Sequence, residues 1–505
     1  LHSTSRRQRQ MCIRDSYNLT IKGENNAVID GQNKARLGEG KVMDVTLENL
    51  TIQNCFAYMG GSVIKLTQGD LNVTDCVFKN NRTSCFFEAD GALFVNNGDM
   101  NITDCEFTGN YAYSGGAIKH IQGTTNIKNT LFDGNRAEAA ATESQKGDAR
   151  GGVLYVSNAV TTLDNCTVVN NYSSNSGGAF YVKYCHQNGK SFTVKDCDIL
   201  FNRAGEHSGV LMSWNTVDPN FTYTFVNTTI YGNVAHNVGG VLWFLEGLNT
   251  TQNMKFYNCT IVGNHSESGV WHCGGIHTFS PNLRLTFVNT ILEGNTGGAN
   301  YEYSDLHIKG YASDKVAYTR MYYSILGKFI AQNSCTLTEF GGADRNSYIN
   351  VSPAKKADGE ANYAGLDALV DNKYLPFKSK EEAVKLKGND KKLARDLDIT
   401  TDRLGNERKN NVMGAVEVFS NQSGIYDAIV GGRKLDIRVD GDNFVIALPN
   451  AADKADVRVF TTAGQLVLTT TVSADATATV DASALGRGVY AVEVAGQGAA
   501  LVFKR

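Results

Sequence analysis

Apolar and polar residues alternate with a period of two along most of this chain, in bursts too short for an amphipathic helix. In "LNVTDCVFKNN" (71–81) Leu71 and Val73 alternate with Asn72 and Thr74; in "FTVKDCDILFN" (192–202) Phe192 and Val194 alternate with Thr193 and Lys195. Such bursts predict short, half-buried strands. Each is followed by a turn and a glycine-led apolar run, such as "GGAIKH" (115–120), "GGVLYV" (151–156) and "GGVLWF" (239–244).

The bursts repeat. "MNITDCEFTGN" (100–110), "TNIKNTLFDGN" (125–135), "TTLDNCTVVNN" (161–171), "YTFVNTTIYGN" (223–233), "MKFYNCTIVGN" (254–264) and "LTFVNTILEGN" (285–295) align with the two segments above, and Cys166, Cys197, Thr228, Cys259 and Thr290 follow one another at intervals of 31 residues. A unit this small cannot bury a face alone, so each strand is expected to pair in parallel with its copy on the next coil, about 4.8 Å away. The Gly-Gly pairs suit corners where φ is positive or a backbone passes close. The prolines of the repeat region, Pro219 and Pro281, fall between units, as a hydrogen-bonded ladder requires. The expected fold is all-β: a right-handed, single-stranded parallel β-helix of about ten coils over 17–325. A region over 326–420 should close its last coil, and a small antiparallel β-sandwich should follow over 424–505.

Two columns of the repeat invite chemical readings. Cys55, Cys76, Cys105, Cys166, Cys197 and Cys259 are assigned to one repeat position, which Thr130, Thr228 and Thr290 fill elsewhere. A position that takes either Cys or Thr wants a small inward side chain, so this column reads as structural, with no metal site and no disulfide. The column of Asn110, Asn135, Asn171, Asn202, Asn233, Asn264 and Asn295 reads as stacked amides that satisfy one another. The repeat also generates N-x-[ST] matches at Asn165 and Asn258, which the period explains without glycosylation.

Composition changes the picture at the N-terminus. "RRQRQMCIRD" has no counterpart downstream and resembles the translated frame of a sequencing-library adapter, so residues 1–16 are set aside as non-native. Without Arg6, Arg7, Arg9, Arg14 and Asp15 the formal charge moves from −3 to −6, with 44 basic against 50 acidic side chains. A mildly acidic chain argues against a nucleic-acid partner. No apolar run is long enough for a transmembrane helix.

Candidate functional residues cluster in the variable turns, which hold Tyr172, Glu206, His207, His236, His265, Glu267, Trp271 and His272. Equal positions on successive coils share one flank, so His207, His236, His265, Trp271 and His272 are the candidate ligand-binding set, suited to stacking on a sugar. For catalysis the candidates are Asp148, Arg150 and His207, with Glu88 and Asp90 on the same flank but on rungs about 10 Å apart. No paired carboxylates of a hydrolase stand out. No cofactor is expected, and Ca²⁺ enters only with a lyase reading.

Three resemblances bear on biology. "GGAI" (115–118) with "FKNN" (78–81), "FTGN" (107–110) and "FDGN" (132–135) resembles the repeats of chlamydial polymorphic outer-membrane proteins, which implies a β-helical surface or adhesin-type passenger. "SPAKKADG" and "TTDRLGNERKNNVMGAVEV" resemble the closure that ends many bacterial surface β-helices. "VRVFTTAGQLV", "GRGVYAVEV" and the terminal "LVFKR" look like the C-terminal sorting domain of the type IX secretion system of Bacteroidetes, which implies handling by that machinery and delivery to the outer surface or beyond. The expected function is an exported β-helix that binds a glycan or host ligand in an adhesin-like way. The alternative is a polysaccharide lyase or glycoside hydrolase acting on an acidic polysaccharide.

Overall fold

The computed structural model describes residues 18–504 apart from 85, 87–88, 140–148, 186–188, 215–220, 246–251, 268–272, 279–282, 301, 310–317, 333–338, 341–347, 350–353, 356–360, 363–365, 367–368, 371–374, 380–382, 384–385, 387, 420–434, 449–451, 462–465, 475–476, 487 and 495–497. The adapter-like segment 1–16 lies outside the described residues.

A full coil makes four strands. In the coil that begins at Asp44 they are Asp44–Glu48 on face 1, Thr51–Gln53 on face 2, Phe56–Ala57 on face 3 and Ile64–Gln68 on face 4. Leu71–Thr74 then resumes face 1 in parallel register, Val45 beside Leu71 and Leu47 beside Val73. Face 2 is a 12-stranded parallel ladder, so the rod is roughly 50 Å long at about 4.8 Å per rung. It therefore has more rungs than the repeat motif alone reveals. Faces 1 and 4 fuse through Ile118–Lys128, which rounds their shared corner without a break. Pairing also continues past residue 325: Phe329–Gln332 lies beside Leu306–Lys309, and Tyr348–Ile349 beside Ile325–Leu326.

Period-two alternation sends one file of each strand inward. On face 2 that file is Ile52, Phe78, Phe107, Phe132, Val168 and Ile199, all fully buried. Phe78 stacks on Phe107 at 4.5 Å and Phe107 on Phe132 at 5.1 Å, the rung spacing expressed in ring centroids. Face 3 instead turns Ala57, Ala112, Ala137, Ser173 and Ala204 inward, small residues where the two-residue strand lies close to the core.

The corners explain the columns. Between faces 1 and 2 the chain turns at Asn49, Asp75, Asp104, Asn129, Asn165 and Asp196, with φ between 50° and 55°. Asn and Asp tolerate this left-handed conformation because their short side chains bond locally. That requirement, not glycosylation, places Asn165 and Asn258 before their Cys-Thr pairs, and Asn258 is buried. The following residue points inward, which makes Leu50, Cys76, Cys105, Thr130, Cys166 and Cys197 one column. Cys55 is not part of it. It follows the next corner, and its N–H donates to Asn81 Oδ1 at 2.9 Å, so it heads the Asn column instead. Eight cysteines among the described residues are free and buried. Burial pushes the Cys76 thiol up to about 11 and that of Cys259 to about 12.

Between faces 2 and 3 the buried asparagines form the expected ladder. The Asn171 amide donates to Asn202 Oδ1 at 2.9 Å, and the Asn171 backbone N–H donates to the same oxygen at 3.0 Å. The Asn171 amide also donates to the Phe132 carbonyl at 3.1 Å. The pattern recurs from Asn81 to Asn295, where the last amide donates to the buried Asp305 carboxylate at 2.8 Å. Burial raises Asp305 to about 7 against the three N–H donors that face it.

The Gly-Gly corner uses both glycine properties in turn. Gly151 has φ of +70°, while a Cβ on Gly152 would stand 2.1 Å from the Gly178 carbonyl of the next coil. Neither position tolerates a larger residue without moving backbone.

Within the region expected to close the last coil, the described residues from Leu366 to Phe419 lie along the side of the rod. Leu366, Leu375, Phe377, Val412 and Met413 pack on Val262, Ile291 and Ile325, outward residues of face 2. Leu393, in the helix Asp390–Leu397, packs with Ile399 on Val288. The Ala415 N–H donates to Thr260 Oγ1, and Gly414 N–H to the Asn289 carbonyl. Farther down the rod, Arg403 reaches Asp198 at 2.6 Å and Asn165 at 3.1 Å, with both charges buried. The motif "DRLGNERKNNVMGAVE" is the frame for this contact. Asp402 accepts from Leu404 and Asn406, Gly405 turns at φ +81°, and buried Arg408 bridges Asp390 and Glu417.

The C-terminal residues form two small antiparallel sheets. One pairs Asp436–Asp440, Asn443–Ala447 and Thr477–Asp481; the other pairs Ala452–Thr461, Leu466–Ala474, Gly488–Val494 and Gly498–Lys504. Phe444, Ile446, Val457, Val459, Val480 and Val492 fill the space between them. Lys504 is buried and donates to the Ala482 and Leu485 carbonyls at 2.6 and 2.7 Å.

Two substitutions test this architecture. Gly178→Ala puts a Cβ 2.3 Å from the Gly209 carbonyl, so it should cost about 1–3 kcal/mol as overpacking does. A thermal midpoint equal to the parent's would show that this corner has room. Arg403→Ala removes the cation facing Asp198 and should cost about 3–5 kcal/mol, with part recovered by adding Asp198→Asn. Equal stability of parent and single variant in urea melts would show that the ion pair does not hold the flank.

Candidate functional site

The turn flank divides into two places. Asp148, Trp271, His272 and Glu88 lie outside the described residues. Arg150 and His207 lie at the corner that leads into face 4, in one column with Ser176 between them, so they are two rungs apart as the period predicts. His236 and His265 lie on face 3, on the other side of the turn.

On face 4 the outward file runs Phe94, Lys119, Tyr155, Tyr181, Met212 and Trp243. Despite facing out, Tyr181 and Met212 are fully buried, and Trp243 is nearly so. Arg150 lies against the Tyr181 ring at 5.0 Å and the Trp214 ring at 5.1 Å. Its N–H groups donate to Tyr181 Oη at 2.7 Å and Asn175 Oδ1 at 3.3 Å. The guanidinium is thus held in the packing of the turn. His207 packs on Trp243 with ring centroids 3.9 Å apart. Burial, with Arg150 nearby, lowers its pKa to about 4, so the imidazole is neutral at physiological pH. Lys119 pairs with the buried Asp90 at 2.5 Å and lies over Tyr155 at 5.0 Å. These contacts are an aromatic and cationic cluster in which Arg150 and His207 each pack against a neighbour. No group of three or more His, Cys, Asp or Glu side chains suited to a metal ion occurs among the described residues.

Face 3 is open. Arg203 holds Glu267 through paired contacts at 2.7 Å, keeping that carboxyl below its usual range, and His236 lies 3.4 Å from the same carboxylate. His265 is half-buried, its Nδ1 3.0 Å from Thr296 Oγ1, and burial lowers its pKa. The residues that follow Cys55 and each buried Asn form the outward file: Phe56, Arg82, Tyr111, Arg136, Tyr172, Arg203, Val234, His265 and Thr296 in successive rungs. Arg82 lies over Tyr111 at 5.8 Å and Arg136 over Tyr172 at 4.5 Å. Beside Phe56 the file widens to Tyr58, which is 73% exposed. Only Tyr172 and His265 of this file were among the sequence candidates. The signal was present as the residue after each column Asn, which reads Arg, Tyr, Arg, Tyr, Arg from 82 to 203.

A family model described as the secretion system C-terminal sorting domain matches residues 441–505, which hold every strand of the antiparallel sheets above except Asp436–Asp440. The chain is exported by the type IX route. Its place is therefore the cell surface or the extracellular space of a Bacteroidetes-type bacterium, and no helix among the described residues is long and apolar enough to cross a membrane. The sorting domain begins well after the last β-helix rung, so the faces described above belong to the exported cargo. No curated protein matches the chain, and no solved structure does.

The imidazole of His207 supplies a test of the face 4 cluster. The unfolded side chain takes up a proton near 6.5, the folded one near 4. The folded state therefore binds fewer protons in that window, and stability falls as pH is lowered from about 6.5 to about 4. An NMR titration should find the His207 midpoint near 4, and His207→Gln should flatten part of the acid slope. A midpoint near 6.5 would mean that the cluster is open to water.

Proposed function

We propose that this protein is a surface-displayed or secreted β-helix that binds a glycan along its side in an adhesin-like way, without turning it over. The observation that carries the proposal is the solvent-open file of aromatic and cationic side chains on face 3. Aromatic rings stack on the apolar faces of sugars, and guanidinium groups bond their hydroxyl and acidic oxygens. His236 and His265 extend the same face toward later rungs. The type IX sorting domain supports an external partner, because it delivers the rod to where glycans of neighbouring cells or of a matrix lie.

Two of the groups a polysaccharide-cleaving enzyme would use, Arg150 and His207, are poorly disposed for chemistry. Arg150 is engaged by Tyr181 and Asn175, and His207 by Trp243. A general base works best with a pKa near the operating pH, and His207 lies well below it.

Incubation of the full chain with acidic and neutral polysaccharides, with and without Ca²⁺, separates the two functions. Retention of the protein on a glycan with no new reducing ends and no absorbance from unsaturated uronates is the expected result. Product that disappears in Arg150→Ala would replace binding with lyase chemistry on face 4.

A further inference from the structure

The face 3 file has a period of its own. From Phe56 to Arg203 arginine occupies every second rung, at 82, 136 and 203, and an aromatic ring occupies each rung between and before, at 56, 111 and 172; Val234, His265 and Thr296 continue the file beyond it. Successive arginines are therefore about 10 Å apart along a straight line. That is about the advance of one disaccharide in an extended chain, and one rung corresponds to about one pyranose ring. The arginines are exposed, while the tyrosines are half-buried, each with the guanidinium of the preceding rung lying over its ring.

Resting on the glycan-binding function above, we propose that face 3 binds a linear anionic polysaccharide carrying one acidic group per disaccharide. Each acidic sugar would meet an arginine, whose planar fork takes a carboxylate or sulfate through two parallel hydrogen bonds. Each intervening non-acidic sugar would lie on the ring of Tyr111 or Tyr172. The chain is acidic overall, so a straight basic file on it is a local departure in charge that an anionic ligand complements.

The carboxylates beside the file fit this use. Glu138 pairs with Arg136 at 3.1 Å and Glu267 with Arg203 at 2.7 Å, all four side chains being a third or more exposed except Glu138, at 32%. Exposed pairs of this kind are weak and give way to an incoming acidic group. Until then they keep the guanidinium groups extended over the file.

The test is binding of the full chain to four probes at matched mass and low salt: hyaluronan, whose carboxylates alternate with neutral sugars; polygalacturonate, with a carboxylate on every sugar; neutral dextran; and single-stranded DNA. Hyaluronan should bind most tightly, weaken as salt rises from 50 to 200 mM because screening shortens the reach of exposed charges, and lose at least tenfold in affinity in Arg82→Gln/Arg136→Gln/Arg203→Gln. The triple variant should melt with the parent, since all three side chains are exposed. Replacing the same arginines by lysine should weaken binding by several-fold while keeping the charge. Glu138→Gln should tighten it.

Tighter binding of polygalacturonate or DNA than of hyaluronan would overturn the alternating register. Hyaluronan binding unchanged in the glutamine triple variant would overturn the assignment to face 3. Binding of dextran alone would overturn the anionic class and leave the glycan-binding function standing. Failure of every glycan would remove both.

Discussion

The whole rod depends on one corner. Where face 2 turns into face 3, the backbone enters the interior and its polar groups have no strand partner. The buried Asn of each coil resolves this. Its oxygen takes two N–H groups from the rung before, and its amide donates to the rung after and to a face 2 carbonyl. An amide, with two donors and an acceptor in one plane, can do this at every rung in the same way; removing one would strand several buried groups at about 1–3 kcal/mol each. The ladder therefore holds the corner constant over eight rungs, from Asn81 to Asn295. Because the corner is constant, face 3 starts at the same place on each coil, and the side chain after each Asn falls into a straight outward file. The straightness that suits face 3 to a linear ligand is inherited from an interior hydrogen-bond ladder.

The outward sides of the rod have different fates. Face 2 gains Ile291 and Ile325 at outward positions in its later rungs, and the segment around Leu366–Phe419 covers them. A buried charge pair such as Arg403 and Asp198 adds little net stability, since desolvation cancels much of its attraction. It does fix where the flank attaches, because any other docking would leave Asp198 buried away from its cation. Face 4 buries its own outer aromatic file around Arg150. Face 3 keeps its arginines in water. The proposed binding function uses the side that nothing in the described chain covers, although the richer aromatic cluster lies elsewhere.

The fold was legible because it repeats. Period-two bursts, the Asn column and the Gly-Gly pairs each have one physical cause, and all three point to parallel coils. Cys55 was misplaced because "TIQNC" carries Asn and Cys adjacent, as the Cys column does, although it stands at the following corner. Only the register resolves such a shift, since Asn and Asp serve both corners as left-handed residues. The flank was legible as a motif but not as a location: "DRLGN" and "GAVE" encode an internal network around Arg408, and nothing in them names Asp198 as the target. For the site, the histidines and tryptophans that drew attention by rarity separate: His207 and Trp243 pack on one another, His236 and His265 lie on face 3, and the commoner Arg and Tyr of face 3 precede them in the open file. Their alternation is invisible until coils of 25 to 36 residues, as between Asn110, Asn135 and Asn171, are set in register.

Export frames the remaining oddity, a protein bound for an oxidising exterior with a column of free thiols. Disulfides would be the usual support for an external protein, but side chains on adjacent rungs run parallel instead of toward each other. Burial also keeps the thiols protonated, with Cys76 and Cys259 raised to about 11 and 12, and a thiol without thiolate character exchanges and oxidises slowly. Cys166 instead uses its neighbour as a hydrogen-bond partner, its N–H donating to Cys197 Sγ at 3.3 Å. Thr290 plays the same part for Cys259 through Oγ1, also at 3.3 Å. The interchange of Cys and Thr in that column is thus a matter of one small acceptor pointing inward. The rod owes its cohesion to ladders of hydrogen bonds and stacked rings, which need no oxidation to form and leave its open face free of cross-links.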